Sequence, residues 1–283
     1  MKNIDLTEFA GKDISILIKK GDELFNGNLE EKIHSHKIYN IILEQIPINY
    51  EQIKFRELRG LLRQKIWNCE RIFFWNEKFF SQSGQDKIIK NSFFRSKKKG
   101  FFVEIGAFDG IEGSNCLHFE KSMNWDGIAI EPSKTQFKKL SKNRSCKVLN
   151  EAISSTEKEV EFIEVVDGLT QMSGINDENY LSKSIIENNE STKFNKNKIK
   201  TSTFGKNILI KEIDYLSIDI EGTELDVLKS INFQEHIIKV ISVENNIPEK
   251  INFNSFLKEN NFSFFDRVGQ DEIFYNNNFF KLS

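Results

Sequence analysis

The stretch from Phe101 to Glu131, FFVEIGAFDGIEGSNCLHFEKSMNWDGIAIE, gathers residues whose types and spacing can do chemistry. Glu104 stands two residues before Gly106, and Asp109 and Gly110 close the turn that follows. Glycine can take positive φ or let backbone approach a ligand closely, and open α/β sheets bind ligands at the carboxyl ends of their strands. Glu131 ends the next apolar run, about 20 residues further on, where a carboxylate can accept both hydroxyls of a ribose. A dinucleotide fingerprint would instead read G-x-G-x-x-G and offer backbone N–H groups to a pyrophosphate. Here E-x-G-x-x-x-G with a distal Glu sets anionic groups where phosphate would be repelled. The pattern suits a nucleoside cofactor with a cationic end, S-adenosylmethionine rather than NAD or ATP. The bland alternative is a glycine turn joining two core strands, with incidental acids.

A second constellation is LSIDIEGTELDVL, Leu216 to Leu228. Asp219 ends a strand, Gly222 permits a tight turn, and Leu225 and Leu228 start a helix. A neighbouring strand ends in Glu244, Asn245 and Asn246. Asp219, Glu244 and Asn245 can converge on a hard divalent cation, Mg²⁺ or Mn²⁺; the alternative is that they hydrogen-bond an acceptor's hydroxyls directly. Methyl transfer from a sulfonium to an alcohol needs either a metal that lowers the alcohol's pKa or a positioned base. Candidate bases are Glu221, Asp219 and His118. Glu221 is preferred because it follows the strand end directly, against the simpler readings of a turn-capping carboxylate and a packed histidine.

The elements that must position these groups follow from periodicity. Strand candidates at 101–106, 127–131 and 146–150 alternate with helices at about 114–122 and 133–142, the rhythm of a doubly wound sheet. Further strands are expected at about 214–219 and 237–243, and a closing hairpin at 262–268 and 271–276. Ser81 or Ser83 can cap a helix carrying Gln85, Asp86, Ile88 and Ile89. Residues 1 to about 80 read as helical, with Ile38, Ile41, Ile42 and Ile46, then Leu58, Leu62, Ile66, Cys69 and Phe73, at three- and four-residue steps and a break at Pro47 and Asn49. Arg56, Arg59 and Arg63 can meet an acceptor phosphate, although a solvated helix face is the plainer reading. His34 and His36 are two apart, a poor metal pair, and are expected at the surface. Residues 166–205 are polar and poorly periodic, an exposed loop or lid.

Composition excludes several classes. Lys and Arg number 40 against 42 Asp and Glu, so no global field favours nucleic acid. No basic stripe or N-P-P-Y-like motif is present, since Ile247 and Pro248 follow Asn246. Cys69, Cys116 and Cys146 form no C-x-x-C pair, and reduced thiols in a cytoplasmic protein are expected. There is no run of 18 apolar residues, hence no expected membrane span, and the amino terminus lacks a secretory apolar region.

SQSGQD, FFVEIGAFDGIEGSN, GIAIEPSKTQFKKLSKNR, IDYLSIDIEGTELDVLKSI, ISVENN and RVGQDEIFY occur in the order and spacing of the FkbM-type methyltransferases, which the chain resembles from about Phe79 to Tyr275. The resemblance implies S-adenosylmethionine dependence and a class I, Rossmann-like methyltransferase fold. That fold is an α/β architecture with a seven-stranded, mostly parallel sheet and helices on both faces. A methyltransferase domain is expected over 79–283, with 166–205 as its insertion, and an amino-terminal helical extension over 1–78. Cofactor contacts are implied for Gln85, Glu104, Gly106, Asp109, Gly110, Ser114, Asn115, Glu131, Pro132, Asn150, Ala152 and Asp219, with Asn150, Glu151 and Ala152 beside the adenine. Met172 to Ile175 is similar to a short family motif. The metal reading is similar to the site of catechol O-methyltransferases, but the fifth-strand acid here is Glu and Gly222 replaces the expected lysine.

The resemblance also implies the acceptor, a hydroxyl of a sugar in a nucleotide-activated or surface (capsular) polysaccharide precursor. Polyketide-type and other small molecules are alternatives, as is a non-catalytic module retaining the fold. A nucleotide sugar would make the arginines near Arg59 more interesting, and the helical extension can pair subunits into a homodimer.

Overall fold

The computed structural model describes residues 13–73, 78–178, 180 and 182–281, so the expected helical positions at 1–12 and 74–77 lie outside the described residues. Three helices come first, α1 (Ile14–Phe25), α2 (Leu29–Gln45) and α3 (Ile53–Glu70). Asn28 starts α2 by a reciprocal cap: its side chain accepts from the Glu31 N–H while Glu31 accepts from the Asn28 N–H. The break between α2 and α3 falls at Pro47 and Asn49 as expected. The three helices bury Leu17, Ile38, Ile42, Leu62 and Ile66 in a cluster of their own.

Next come α4 (Gln85–Phe93), β1 (Phe101–Ile105), α5 (Leu117–Met123), β2 (Asp126–Ile130), α6 (Lys134–Asn143) and β3 (Lys147–Leu149). An insertion holds β4 (Ala152–Ile153), β5 (Glu159–Asp167), β6 (Gly174–Ile175), α7 (Ser182–Glu187) and β7 (Lys193–Ser202). After α8 (Phe204–Asn207), the chain runs through β8 (Glu212–Ile218), α9 (Glu224–Lys229), β9 (Ile237–Glu244), α10 (Phe253–Glu259), β10 (Phe262–Val268) and β11 (Asp271–Asn276).

Seven strands form one sheet in the order β3-β2-β1-β8-β9-β11-β10. All neighbours from β3 to β9 pair in parallel, and β11 alone runs against them. Strand periodicity divides its side chains between two cores. Val103, Ile105, Leu216, Ile218 and Ile241 face Val227 and Leu228 of α9 and Phe253 and Leu257 of α10. Phe102, Tyr215, Val240 and Ile273 face Ile89 of α4 and Phe119 of α5. Glu104 shares the Phe102 face, so a carboxylate enters an otherwise apolar layer.

The polar insertion is not an irregular loop. β5 and β7 pair antiparallel from Glu159↔Lys200 to Asp167↔Lys193, with β4 and β6 on their outer edges. Periodicity missed β7, KFNKNKIKTS, because six of its ten residues are exposed and only Thr201 and Ser202 are buried. Backbone pairing with β5 makes the strand, and its side chains carry little of that signal.

The arginines of α3 are engaged by carboxylates rather than left for a phosphate, Arg56 and Arg59 buried and Arg63 half-buried. Arg59 is buried and holds Asp266 bidentately, Nε to Oδ1 at 2.6 Å and Nη2 to Oδ2 at 2.9 Å. Arg63 binds the same carboxylate, and Arg56, stacked on Tyr50, pairs with Glu272 at 3.3 Å. The helix lies against the closing hairpin so closely that a Cβ on Gly60 would sit 2.3 Å from the Gly269 carbonyl. His36 is likewise half-buried, bonded to Glu70 and edge-on to Phe73.

Candidate active site

A cavity of about 200 Å³ opens at the carboxyl ends of β1, β2, β8 and β9. Its floor depends on Gly106, whose φ of +87° turns the chain out of β1. A Cβ there would lie 1.6 Å from the Asp219 carbonyl, so the ends of β1 and β8 approach at a distance only glycine permits. Of the expected cofactor residues, Glu104, Gly106, Ser114, Asn115, Glu131, Pro132, Ala152 and Asp219 line this cavity.

Glu131 is 6% exposed. One oxygen accepts from the Phe108 N–H at 2.9 Å and the other from the Ser133 N–H at 2.8 Å. These bonds fix the carboxylate plane across the cavity and leave lone pairs for a diol. Burial, with Glu164 nearby, pushes its pKa up to about 8. The folded ligand-free protein therefore keeps a proton that the unfolded chain loses near its ordinary value, so this group lowers stability as pH rises from about 4.5 to 8. Thermal melts across that range are expected to show the decline, and Glu131→Gln to flatten it. Glu131→Ala is expected to weaken S-adenosylhomocysteine binding by about 1–3 kcal/mol, measured by calorimetry; unchanged affinity would remove Glu131 from the site.

Glu104 is not a free anion. Its Oε2 meets Arg144 Nη1 at 2.6 Å and its Oε1 accepts from Ser114 Oγ at 2.7 Å. Asn115 donates to Ser217 Oγ and to Asp271, leaving its Oδ1 buried without a partner against the cavity. Such an acceptor fits an ammonium group.

Several expected contacts lie elsewhere. Asp109 caps its own turn, accepting from the Ile111 and Glu112 N–H groups, and Gly110 packs under Leu140 and Arg144. Asn150 is exposed and donates to the Glu131 and Pro132 carbonyls. Gln85 is buried, accepts from the Ser83 N–H and does not reach the cavity. His118 is fully buried, donates Nδ1–H to the Lys78 carbonyl and stacks on Phe79, so it stands outside the site as a packed histidine.

The acidic half is tighter than the sequence implied. One carboxylate oxygen from each of Asp219, Glu221 and Glu244 lies within 4.8 Å of the others. Glu221 joins Asp219 and Glu244 as the third carboxylate. It sits at φ +64°, a left-handed conformation rare for a side chain of its size, and accepts from Ser182 Oγ at 2.7 Å. Glu224 caps the turn through the Ile220 and Gly222 N–H groups. Asn245 donates to the Ile251 carbonyl and to Glu272, so its Oδ1 is left for a small neighbouring cavity of about 10 Å³ that Glu221, Glu224, Glu244 and Asn246 share. Glu244 Oε2, Asn245 Oδ1 and Asn246 Oδ1 all lack partners.

Burial raises the carboxyls of Asp219 and Glu244 well above the ordinary range, and the neighbouring acids add to it. Burial likewise takes Glu224 to about 7 and Asp271 to about 6. Like charges this close cannot all ionise unaided, so the cluster holds protons that a cation would displace. Its unpartnered oxygens and hard-donor chemistry fit Mg²⁺ or Mn²⁺.

Sequence reasoning missed Arg144, Gln136, Gln82, Gln270, Thr170 and Gln171. All but Arg144 line the cavity. Only the S-x-x-Q spacing of Ser133 and Gln136 carried a local signal.

A parallel sheet closed by one antiparallel strand, with a buried carboxylate after β2 and acids at the ends of β8 and β9, defines a class I methyltransferase. The chain belongs to the FkbM methyltransferase family: the methyltransferase FkbM domain model matches residues 104–266, more than half of the 283. Among solved structures, a methyltransferase FkbM from Methylobacillus flagellatus KT is similar at 11% identity and a TM-score of 0.44, over 84% of this chain and 57% of that one. The amino-terminal domain of human METTL16 in complex with SAH matches at 12% identity and a TM-score of 0.33, over 99% of each chain. A coclaurine N-methyltransferase bound to N-methylheliamine and SAH matches at 11% identity and a TM-score of 0.27, over 82% of this chain and 62% of that one. A search of curated proteins gives no match. Among the described residues no helix is long and apolar enough to cross a membrane.

Proposed function

We propose that this methyltransferase binds S-adenosylmethionine and methylates a hydroxyl of a sugar, with a divalent cation, Mg²⁺ or Mn²⁺, held by Asp219, Glu221 and Glu244. The observation that carries the reading is one cavity with two chemically distinct halves. Glu131, Gly106 and Asn115 supply a diol acceptor, a close backbone approach and an ammonium acceptor on one side. Three converging carboxylates supply hard oxygen donors on the other.

Bound there, the sulfonium would supply an electrophilic methyl group, and the cation a Lewis acid that lowers the pKa of a coordinated hydroxyl. Glu221 is the residue assigned to take the hydroxyl proton, because its carboxyl stands in the cavity directly after the end of β8, beside Asp219 and Glu244. Thr170–Ser173 line the same cavity and act as its cover. A polyhydroxylated acceptor suits walls rich in carboxylate and amide oxygens better than a planar phenol does.

A nucleotide sugar remains one form of such an acceptor, but its phosphates would need partners other than Arg56, Arg59 and Arg63. The three free cysteines fit a cytoplasmic setting, and the exposed Ile16, Leu29 and Leu61 fit a homodimer through the helical extension.

Calorimetric titration of chelator-treated protein with S-adenosylhomocysteine, with and without Mg²⁺ or Mn²⁺, tests both halves. Micromolar cofactor binding is expected. The cation at about 100 times its Kd is expected to stabilise the fold by about 2.7 kcal/mol in thermal melts, an effect that Glu244→Gln removes. A labelled-methyl screen of sugars and nucleotide sugars then finds the acceptor. Failure to bind the cofactor sinks the function, whereas cation indifference removes only the metal.

A further inference from the structure

Gln136 is 1% exposed and lines the cavity, yet neither Oε1 nor Nε2 of its carboxamide has a hydrogen-bond partner. Its position explains why. Ser133 caps α6, accepting from the Gln136 N–H at 3.2 Å, and in the usual S-x-x-Q box the glutamine side chain would return to the Ser133 N–H. Here Glu131 Oε1 takes that N–H at 2.8 Å, so the glutamine amide is released from capping and left buried. An unmet buried donor and acceptor are costly, which points to a ligand that completes them.

The surroundings narrow that ligand. Ser133 Oγ and the Thr135 N–H both bond Glu164 of β5, tying the first turn of α6 to the face of β5 that also carries Phe162. Phe162, Pro132, Ala152 and Ile153 line the same cavity, an apolar slot suited to a flat heterocycle. Asn150, the amide after β3, gives its Nδ2 to the Glu131 and Pro132 carbonyls and does not line the cavity.

We propose that Gln136 reads the edge of the cofactor's aminopurine: Oε1 accepts from the exocyclic amine while Nε2–H donates to the adjacent ring nitrogen, the bidentate pattern that a glutamine amide makes with adenine. This specificity role rests on the cofactor reading above. The Ser133–Glu131–Gln136 exchange thereby links ribose recognition to base recognition, because the carboxylate that meets the ribose also frees the amide that meets the purine.

The test compares S-adenosylhomocysteine with its 6-deamino analogue by calorimetry on wild type and on Gln136→Met. Wild type is expected to favour the amino form by about tenfold or more, and Gln136→Met to bind both forms alike, with cofactor affinity lowered by about tenfold to a hundredfold. The ligand-free variant is expected to melt no lower than wild type, because it loses two unpaired polar atoms; a purely structural glutamine would lower the melting temperature. Should Gln136→Met fail to fold, Gln136→Glu, of the same shape, keeps the Oε1 acceptor and exchanges the amide donor for a carboxyl. It is expected to retain the preference for the amino form with weakened affinity. Equal binding of both forms by wild type, or undiminished affinity and preference in Gln136→Met, overturns the role of Gln136 while leaving the cofactor reading standing. Absence of S-adenosylhomocysteine binding by wild type overturns that reading and this inference with it.

Discussion

Replacing Arg144 by Ala is expected to destabilise the protein by about 3–5 kcal/mol, the range for breaking a buried ion pair by removing one partner. The Arg144 side chain is wholly buried and spans two carboxylates, Glu120 through Nε and Glu104 through Nη1, each at 2.6 Å. The same Nη1 reaches Ser114 Oγ at 3.2 Å, and the stem packs against Gly110. Truncation leaves Glu104, itself 3% exposed, as an uncompensated charge in the layer that holds Phe102. Urea denaturation measures the loss, and adding Glu104→Gln to Arg144→Ala is expected to restore part of it, since the pair is coupled. A loss below about 1 kcal/mol would mean that water reaches Glu104 and that Arg144 does not hold the cofactor loop.

Asp219→Asn is expected to lower turnover by about 10²–10⁴-fold while changing S-adenosylhomocysteine affinity only severalfold. The substitution keeps shape, which matters because the Asp219 backbone already crowds Gly106. It removes the charge that a cation or hydroxyl proton would meet. It also relieves repulsion from Asp271, Glu221 and Glu224, so the ligand-free variant is expected to melt higher than wild type. Lower turnover with a higher melting temperature marks a residue kept for function against stability. Equal loss of turnover and cofactor affinity would assign Asp219 to the cofactor half instead, and unchanged turnover would remove it from the chemistry.

The contrast between these two residues shows what a sequence makes legible. Asp219 sits in a strand end followed by a glycine turn, a local pattern, and the seven strands of the main sheet were readable to within a residue or two from alternation and turn signals. Glu131 was readable for the same reason. Arg144 was not, because nothing between Phe101 and Glu131 says which cation will answer Glu104 from the far end of α6. The buried arginines of α3 misled because helical periodicity assigns a face without naming what covers it, and the covering carboxylates lie about 200 residues away. Glu221 was not legible as a neighbour of Asp219 and Glu244, because its left-handed backbone is a conformation that spacing alone does not reveal.

The clasp between α3 and the closing hairpin also bears on how the chain can assemble. Arg59 and Asp266 are 207 residues apart, and Tyr50 and Glu272 are 222 apart. Loop closure over such separations is slow, and the carboxylates belong to strands synthesised long after α3. Until they arrive, the guanidinium groups of the first helices have no charge to bury against. The helices α1 to α3 are therefore made well before the carboxylates that complete their docking, and that docking depends on the closing hairpin being in place.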